Sequence, residues 1–216
     1  MSTDTAHVAW DSTWASEEAL AAWSRPEADV VAFAATARIA GAGRALDLGC
    51  GVGRHAVALA RLGYVVDALD ASPQGLARTA AAASGLPVTT HLSRMTELPF
   101  PGETFDLMVS WNVVYHGDQD VVARTVAEMA RVMKTRGRLI VTMLTKRNAA
   151  FGIGREVARD TWVDDAARDD KVHPHFYCDV EALAALFRDF HLTTLREDNL
   201  GKPGNSHWVA TFERKA

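Results

Sequence analysis

Short apolar runs alternate with amphipathic stretches along the first two thirds of this chain. Arg44 to Leu48, Tyr64 to Asp70, Val88 to Leu92, Phe105 to Trp111 and Arg138 to Leu144 are short, mostly apolar and bounded by turn residues. Runs of that length predict buried strands. Between them, apolar positions recur every three or four residues over His55 to Leu62, Ser72 to Ala83 and Asp118 to Met133, which predicts helices. A further helix is predicted over Glu27 to Ala40, with Pro26 near its start. Gly41, Gly43, Gly63, Gly85 and Gly137 punctuate these segments, and Ser72-Pro73 reads as an N-cap followed by a proline at the first helical position. Strands alternating with helices predict an α/β fold with a parallel sheet covered on both faces.

After Leu144 the pattern changes. Asn148 to Cys178 shows no clear period, and structureless stretches of that length in compact domains are usually functional or disordered. Asp179 to Phe187 predicts a helix that Asp179 can cap. His191 to Arg196 and His207 to Phe212 predict two strands joined by Gly201-Lys202-Pro203-Gly204, a hairpin-like connection and so an antiparallel edge. At the other end, Trp10 and Trp14 stand four apart, on one face of a helix. They read either as a staple to the core or as an aromatic wall over a ligand pocket.

Composition narrows the class. At 216 residues the chain fits one domain. Its formal net charge of −4 argues against nucleic acid as the main partner, although a local basic patch would not show in it. No apolar run approaches the length of a membrane span. Cys50 and Cys178 are the only cysteines, which makes no disulfide framework and points to a reducing compartment, the cytoplasm. Composition leaves the oligomeric state open.

The most informative stretch is Asp47-Leu48-Gly49-Cys50-Gly51-Val52-Gly53-Arg54. A strand ends in an acidic residue and three alternate glycines, and a helix follows. Such a turn needs the φ freedom of glycine and lets backbone approach a flat polar ligand. A dinucleotide turn of the form G-x-G-x-x-G does not fit these glycines. Asp70 ends the second strand, where a carboxylate can accept from both hydroxyls of a ribose or instead cap the next helix. His173-Pro174-His175-Phe176-Tyr177-Cys178 holds metal-ligating residue types, but the spacing shows no third and fourth partner, so no metal is expected.

The D-x-G-x-G-x-G pattern resembles motif I of the class I S-adenosylmethionine-dependent methyltransferases. Leu98-Pro99-Phe100 with Phe105-Asp106, Asn112-Val113-Val114-Tyr115-His116, and Val132-Met133-Lys134-Thr135-Arg136-Gly137 resemble further blocks of that family in the same order. The resemblance runs from about Ala45 to Leu144. It implies a Rossmann-like, seven-stranded, mostly parallel sheet with an antiparallel last strand and helices on both faces. It also implies S-adenosyl-L-methionine as cofactor. Gly49, Gly51 and Gly53 would then pass under the methionine and ribose, Asp47 would order the loop and help hold the ammonium, and Asp70, with Ala71 beside it, would take the ribose. Met95 would lie against the adenine, and Trp111 and Asn112 would border the methionine end. Arg94 departs from the pattern, because many relatives carry an acidic residue there that reads the adenine amino group.

The expected reaction is methyl transfer to a small-molecule acceptor by one domain spanning 1–216. Residues 1–40 would form a helical lid, and residues 146–178 a substrate-covering insertion. His116, His175 and Tyr177 are the expected catalytic residues, with His173 a further candidate base. Histidine is the natural proton acceptor near neutral pH. Trp14, Tyr115, Asn148 and Phe151 are expected to line the acceptor site. Two rival readings stand beside this one: a protein or RNA methyltransferase, and a non-catalytic cofactor-binding protein.

Overall fold

A computed structural model describes residues 3–41, 43–167 and 170–216. Two short helices, α1 (Ala6–Thr13) and α2 (Glu17–Ala22), lead into α3 (Ala28–Ile39). Then β1 (Arg44–Leu48), α4 (Arg54–Arg61), β2 (Val65–Asp70), α5 (Pro73–Ala82), β3 (Val88–Leu92), β4 (Phe105–Ser110), α6 (Gln119–Val132) and β5 (Met133–Thr145) follow in the predicted alternation. The caps behave as their chemistry dictates. Ser72 Oγ accepts from Gly75 N at 2.9 Å, Asp118 from Val121 N at 2.9 Å, and Asp179 from Ala182 N at 2.9 Å at the start of α7 (Val180–Leu186).

Strands β3, β2, β1, β4 and β5 pair in that order, all parallel. The hairpin expected at the end of the chain is β9 (Phe190–Asp198) and β10 (His207–Arg214). β10 enters antiparallel between β5 and β9, with Ala210 opposite Val141 and Leu195. The seven strands therefore form the expected mostly parallel sheet with an antiparallel insertion at one edge. Alternation along β1 sends Leu46 and Leu48 to one face and Ala45 to the other. The first face packs with Met108, Val126, Met129, Phe187 and Phe212, and the second with Val30, Ala34, Leu59, Val66 and Ile140. Each of these large aliphatic side chains contributes about 1.5–3 kcal/mol by leaving water.

The segment that lacked a period is not structureless. It holds β6 (Arg155–Ala158), β7 (Thr161–Val163), a single 3-10 turn at Asp170–Val172 and β8 (His175–Cys178). β6, β7 and β8 pair antiparallel in that order. β8 also runs parallel to the end of β5, with Tyr177 opposite Leu144 and Cys178 opposite Thr145. β4 stops pairing with β5 at Val141 and leaves this edge vacant. Strands of three or four residues are too short for a period, and their partners lie far away in sequence.

Candidate active site

The open α/β sheet makes its ligand crevice at the carboxyl ends of its strands, near the reversal of strand order between β1 and β4. The glycine turn after β1 is fixed by backbone bonds: Gly49 N and Cys50 N both donate to Leu69 O, at 2.8 and 3.0 Å. Gly49, Gly51 and Gly53 all take left-handed φ, of 73°, 54° and 84°. Their missing side chains also make room within the chain. A Cβ on Gly49 would lie 2.4 Å from Val113, and one on Gly51 would lie 2.9 Å from the Trp14 indole. The glycine requirement is therefore conformational, and its immediate neighbours are protein side chains.

Asp70 is held at the end of β2 by one backbone donor on each oxygen. Gly51 N donates to Oδ2 at 2.8 Å and Ser72 N to Oδ1 at 2.9 Å. Each oxygen keeps a further lone pair. The cap of α5 is Ser72, so Asp70 is left for the cleft. Burial pushes its pKa up, against the N–H donors that favour the charged form. Beneath the turn, Asp47 is 2% exposed, and its Oδ2 has no partner. Burial pushes the Asp47 pKa up to about 7, opposed by the Ala56 N–H and the Arg54 charge.

These groups border a cleft with about 850 Å³ of empty space, its open mouth included. Asp70, Ala71, Met95, Trp111 and Asn112 line it together with Gly49 and Gly51. Asn112 has φ 61° and its amide donates to Thr142 Oγ1 at 2.7 Å, which fixes the bend after β4. Trp10, Trp14 and Trp23 line the opposite side. Trp10 stacks on Trp14 with centroids 4.9 Å apart, Trp23 meets both edge-on, and the Arg54 guanidinium lies 4.9 Å from the Trp23 ring. A flat nucleoside with a charged end fits this donor set. Asp70 offers a carboxylate with spare lone pairs, while Asp47 Oδ2 and Trp111 Nε1 are buried polar atoms without partners.

Two contacts made by the beginning of the chain had no sequence signal. Asp11 Oδ1 accepts from Ser72 Oγ at 2.6 Å and from Gln74 N at 3.0 Å, which ties α1 to the start of α5. Arg94, the departure from the family pattern, reaches Asp4 Oδ2 at 3.2 Å, and both residues line the cleft. Here a carboxylate is brought to the Arg94 position from the beginning of the chain.

Three histidines cluster where His116 meets the cleft. His116 lines the cleft and forms an isolated antiparallel bridge with His175. His173 Nε2 lies 2.9 Å from His116 Nδ1, His116 Nε2 lies 3.0 Å from Asn112 O, and His175 lies 2.7 Å from His173 O and 3.1 Å from Asp170 Oδ2. All three rings are buried. Burial lowers the pKa of each, to about 3 for His173. For Asp170, burial acts upward, but the hydrogen bond from His175 and the Lys171 charge hold it well below the carboxylate range.

The remaining expected residues divide. Trp14 lines the cleft. Tyr115, Asn148, Phe151, His175 and Tyr177 do not. Tyr115 is buried between the rings of His116 and His207. Asn148 braces a turn, donating to Ser206 O and accepting from Ala150 N. Phe151 packs 5.4 Å from Tyr177, which is 1% exposed.

Comparison with known proteins agrees with this geometry. A family model described as a methyltransferase domain matches residues 45–137. The ubiquinone biosynthesis O-methyltransferase of Rhizobium etli is 41% identical over 91 residues, which is 41% of this chain and 37% of that protein. The chain thus spans well under half the length of this curated relative. Among solved structures, the [4+2]-cyclase SpnF superposes with a TM-score of 0.74 at 17% identity, over 100% of this chain and 97% of that one. The 1,6-didemethyltoxoflavin-N1-methyltransferase of Burkholderia thailandensis gives 0.71 at 18%, over 97% of this chain and 87% of its own. At those identities the likeness is one of fold. The matched methyltransferase domain spans the glycine turn, Asp70 and the β4 bend.

Proposed function

We propose that this protein transfers a methyl group from S-adenosylmethionine to a small-molecule acceptor held between the glycine turn and the histidine cluster. The observation that carries this reading is Asp70, a carboxylate with a backbone donor on each oxygen and lone pairs left over, facing an open cleft. The bound cofactor supplies an electrophilic methyl group on a sulfonium, so the protein's task is mainly alignment. Orientation of this kind lowers barriers by roughly 7–11 kcal/mol in favourable models.

In this reading the glycine turn supports the methionine and ribose, Asp70 takes the sugar hydroxyls, and Asp47 answers the ammonium. Met95 lies against the adenine, with Ala71 beside the sugar and Trp111 and Asn112 at the methionine end. His116 is the member of the catalytic trio that faces the cleft, and His175 and Tyr177 stand behind it as positioning residues. Trp14 walls the acceptor space, and Tyr115, Asn148 and Phe151 support that wall from behind. Residues 1–40 serve as the lid and 146–178 as the cover, within one domain. The charge of −4 favours a small acceptor over nucleic acid. No helix among the described residues is long and apolar enough to cross a membrane, and two free buried cysteines fit a cytoplasmic setting.

The test is calorimetry with S-adenosylmethionine, followed by measurement of S-adenosylhomocysteine release with panels of phenols, amines, thiols and carboxylic acids. Saturable binding, and release that requires an acceptor, are expected. His116→Ala should cut turnover while leaving cofactor affinity within about twofold. No binding would overturn the whole reading. Binding without release on any acceptor would leave a cofactor-sensing protein instead.

A further inference from the structure

The chemistry of the histidine cluster is not explained by its hydrogen bonds. An acceptor carbonyl at Asn112 O requires the hydrogen of His116 on Nε2, which leaves Nδ1 as an acceptor for His173 Nε2–H. His173 Nδ1 then carries a bare lone pair. That atom is buried without a partner in a residue only 4% exposed. Burying an acceptor unmet is normally costly. Meanwhile both nitrogens of His116, the ring at the cleft, are engaged. Three imidazoles from two distant segments thus converge, and one ring nitrogen among them, His173 Nδ1, is left without a partner.

We propose that His116, His173 and His175 form a binding site for a late first-row divalent cation of the zinc type, at the acceptor end of the cleft. One ring nitrogen of each residue lies within 4.8 Å of the others, close enough for a single ion to bridge with small side-chain adjustments. Three neutral nitrogen donors with no thiolate select zinc, cobalt or nickel over calcium or magnesium. Part of the supporting shell is already in place. Histidine ligands donate their second N–H to a carbonyl or carboxylate; His116 Nε2 has Asn112 O and His175 Nε2 has Asp170 Oδ2, and His175 would turn its Nδ1 from His173 O, 2.7 Å away, to the ion. An entry path exists as well, because His116 lines the cleft. A three-histidine site with an open position is the arrangement of catalytic rather than structural zinc. That position would favour an oxygen acceptor, a hydroxyl or enol, by lowering its pKa at the ion. Only this last consequence rests on the proposed methyl transfer, since metal binding is measured without cofactor or acceptor.

Chelator-treated, re-dialysed protein is loaded with zinc or cobalt and assayed for metal content after gel filtration. One equivalent per chain is expected, with a visible ligand-field band for cobalt. His173→Ala should lose the equivalent, Asp170→Asn should weaken binding about 10- to 100-fold, and His91→Ala, outside the cluster, should keep it. Circular dichroism checks that each variant is folded. If His173→Ala does not fold, the wild-type cobalt band and the Asp170→Asn titration decide. Folded wild-type protein that retains no metal, or His173→Ala and Asp170→Asn both binding as tightly as wild type, would overturn the proposal.

Discussion

A single carboxylate illustrates how much chemistry a residue inherits from its backbone. Asp70 is fixed by Gly51 N and Ser72 N, so its orientation is set before any ligand arrives. Charge-assisted hydrogen bonds to such a group contribute about 1.5–3 kcal/mol each. Replacing the carboxylate by an amide keeps the shape, removes the charge and leaves one of the two backbone N–H groups without its acceptor. Asp70→Asn should therefore weaken S-adenosylmethionine binding at least about tenfold in calorimetry, with the thermal midpoint moved by only a few degrees. Unchanged affinity would remove Asp70 from the sugar site. Asp47 differs from it in kind. It lies beneath the turn with one oxygen unmet, and it was legible in the sequence only as the acid of a motif.

Among the elements, α1 is held by side chains rather than by a core of its own, since none of its residues is buried. Its ties to the domain include Trp14 against Gly51, Trp10 edge-on to His116, the Asp4–Arg94 pair and Asp11 at the start of α5. Asp11 acts there as an added cap: it accepts from Gln74 N beside the helix's positive end, a contact worth about 1 kcal/mol. Asp11→Ala should release α1 more often, shortening cofactor residence severalfold in stopped-flow dissociation and speeding limited proteolysis before residue 28. Equal off-rates in mutant and wild type would mean that α1 does not gate the cleft. The hydrophobic spacing of Trp10 and Trp14 showed that they share a face, but not what that face covers.

Global stability should carry the mark of the buried titratable groups. Burial lowers the His55 pKa to about 3 and the His207 pKa to about 4. His55 Nε2 accepts from Glu27 N at 3.2 Å, which the charged ring cannot do. The unfolded chain binds protons at these sites below about pH 6.5, while the folded chain stays neutral to much lower pH. Each such histidine therefore costs stability as pH falls through that window, at up to ~1.4 kcal/mol per pH unit. Asp47 has the opposite sign. Its raised pKa gives the folded state an extra proton between about pH 3.8 and 7, so its contribution falls as pH rises there. With His116, His173 and His175 also lowered and Asp70 also raised, five histidines stand against two carboxylates and give a net loss toward acid. Urea midpoints should decline from pH 7 to pH 5, and His55→Gln should flatten that decline. A slope identical in His55→Gln and wild type would refute the assignment.

The sequence by itself determined the strand–helix alternation, the caps at Ser72 and Asp179, the glycine turn and the place of Asp70 at the end of β2. All of these rest on local rules: period, capping chemistry and φ freedom act within a few residues of one another. Tertiary structure decided what depends on pairing across the chain. β6, β7 and β8 were invisible because three- and four-residue strands have no period, and β8 is defined by the edge of β5 that β4 leaves open. The same pairing sets His175 against His116, some sixty residues earlier, and so supplies the partner that the His-x-His spacing lacked. Likewise Asp4 meets Arg94, and Trp14 covers Gly51, only once the chain's start folds back over its sheet. Ligand chemistry of this kind lives in distances between segments, and local sequence carries no record of them.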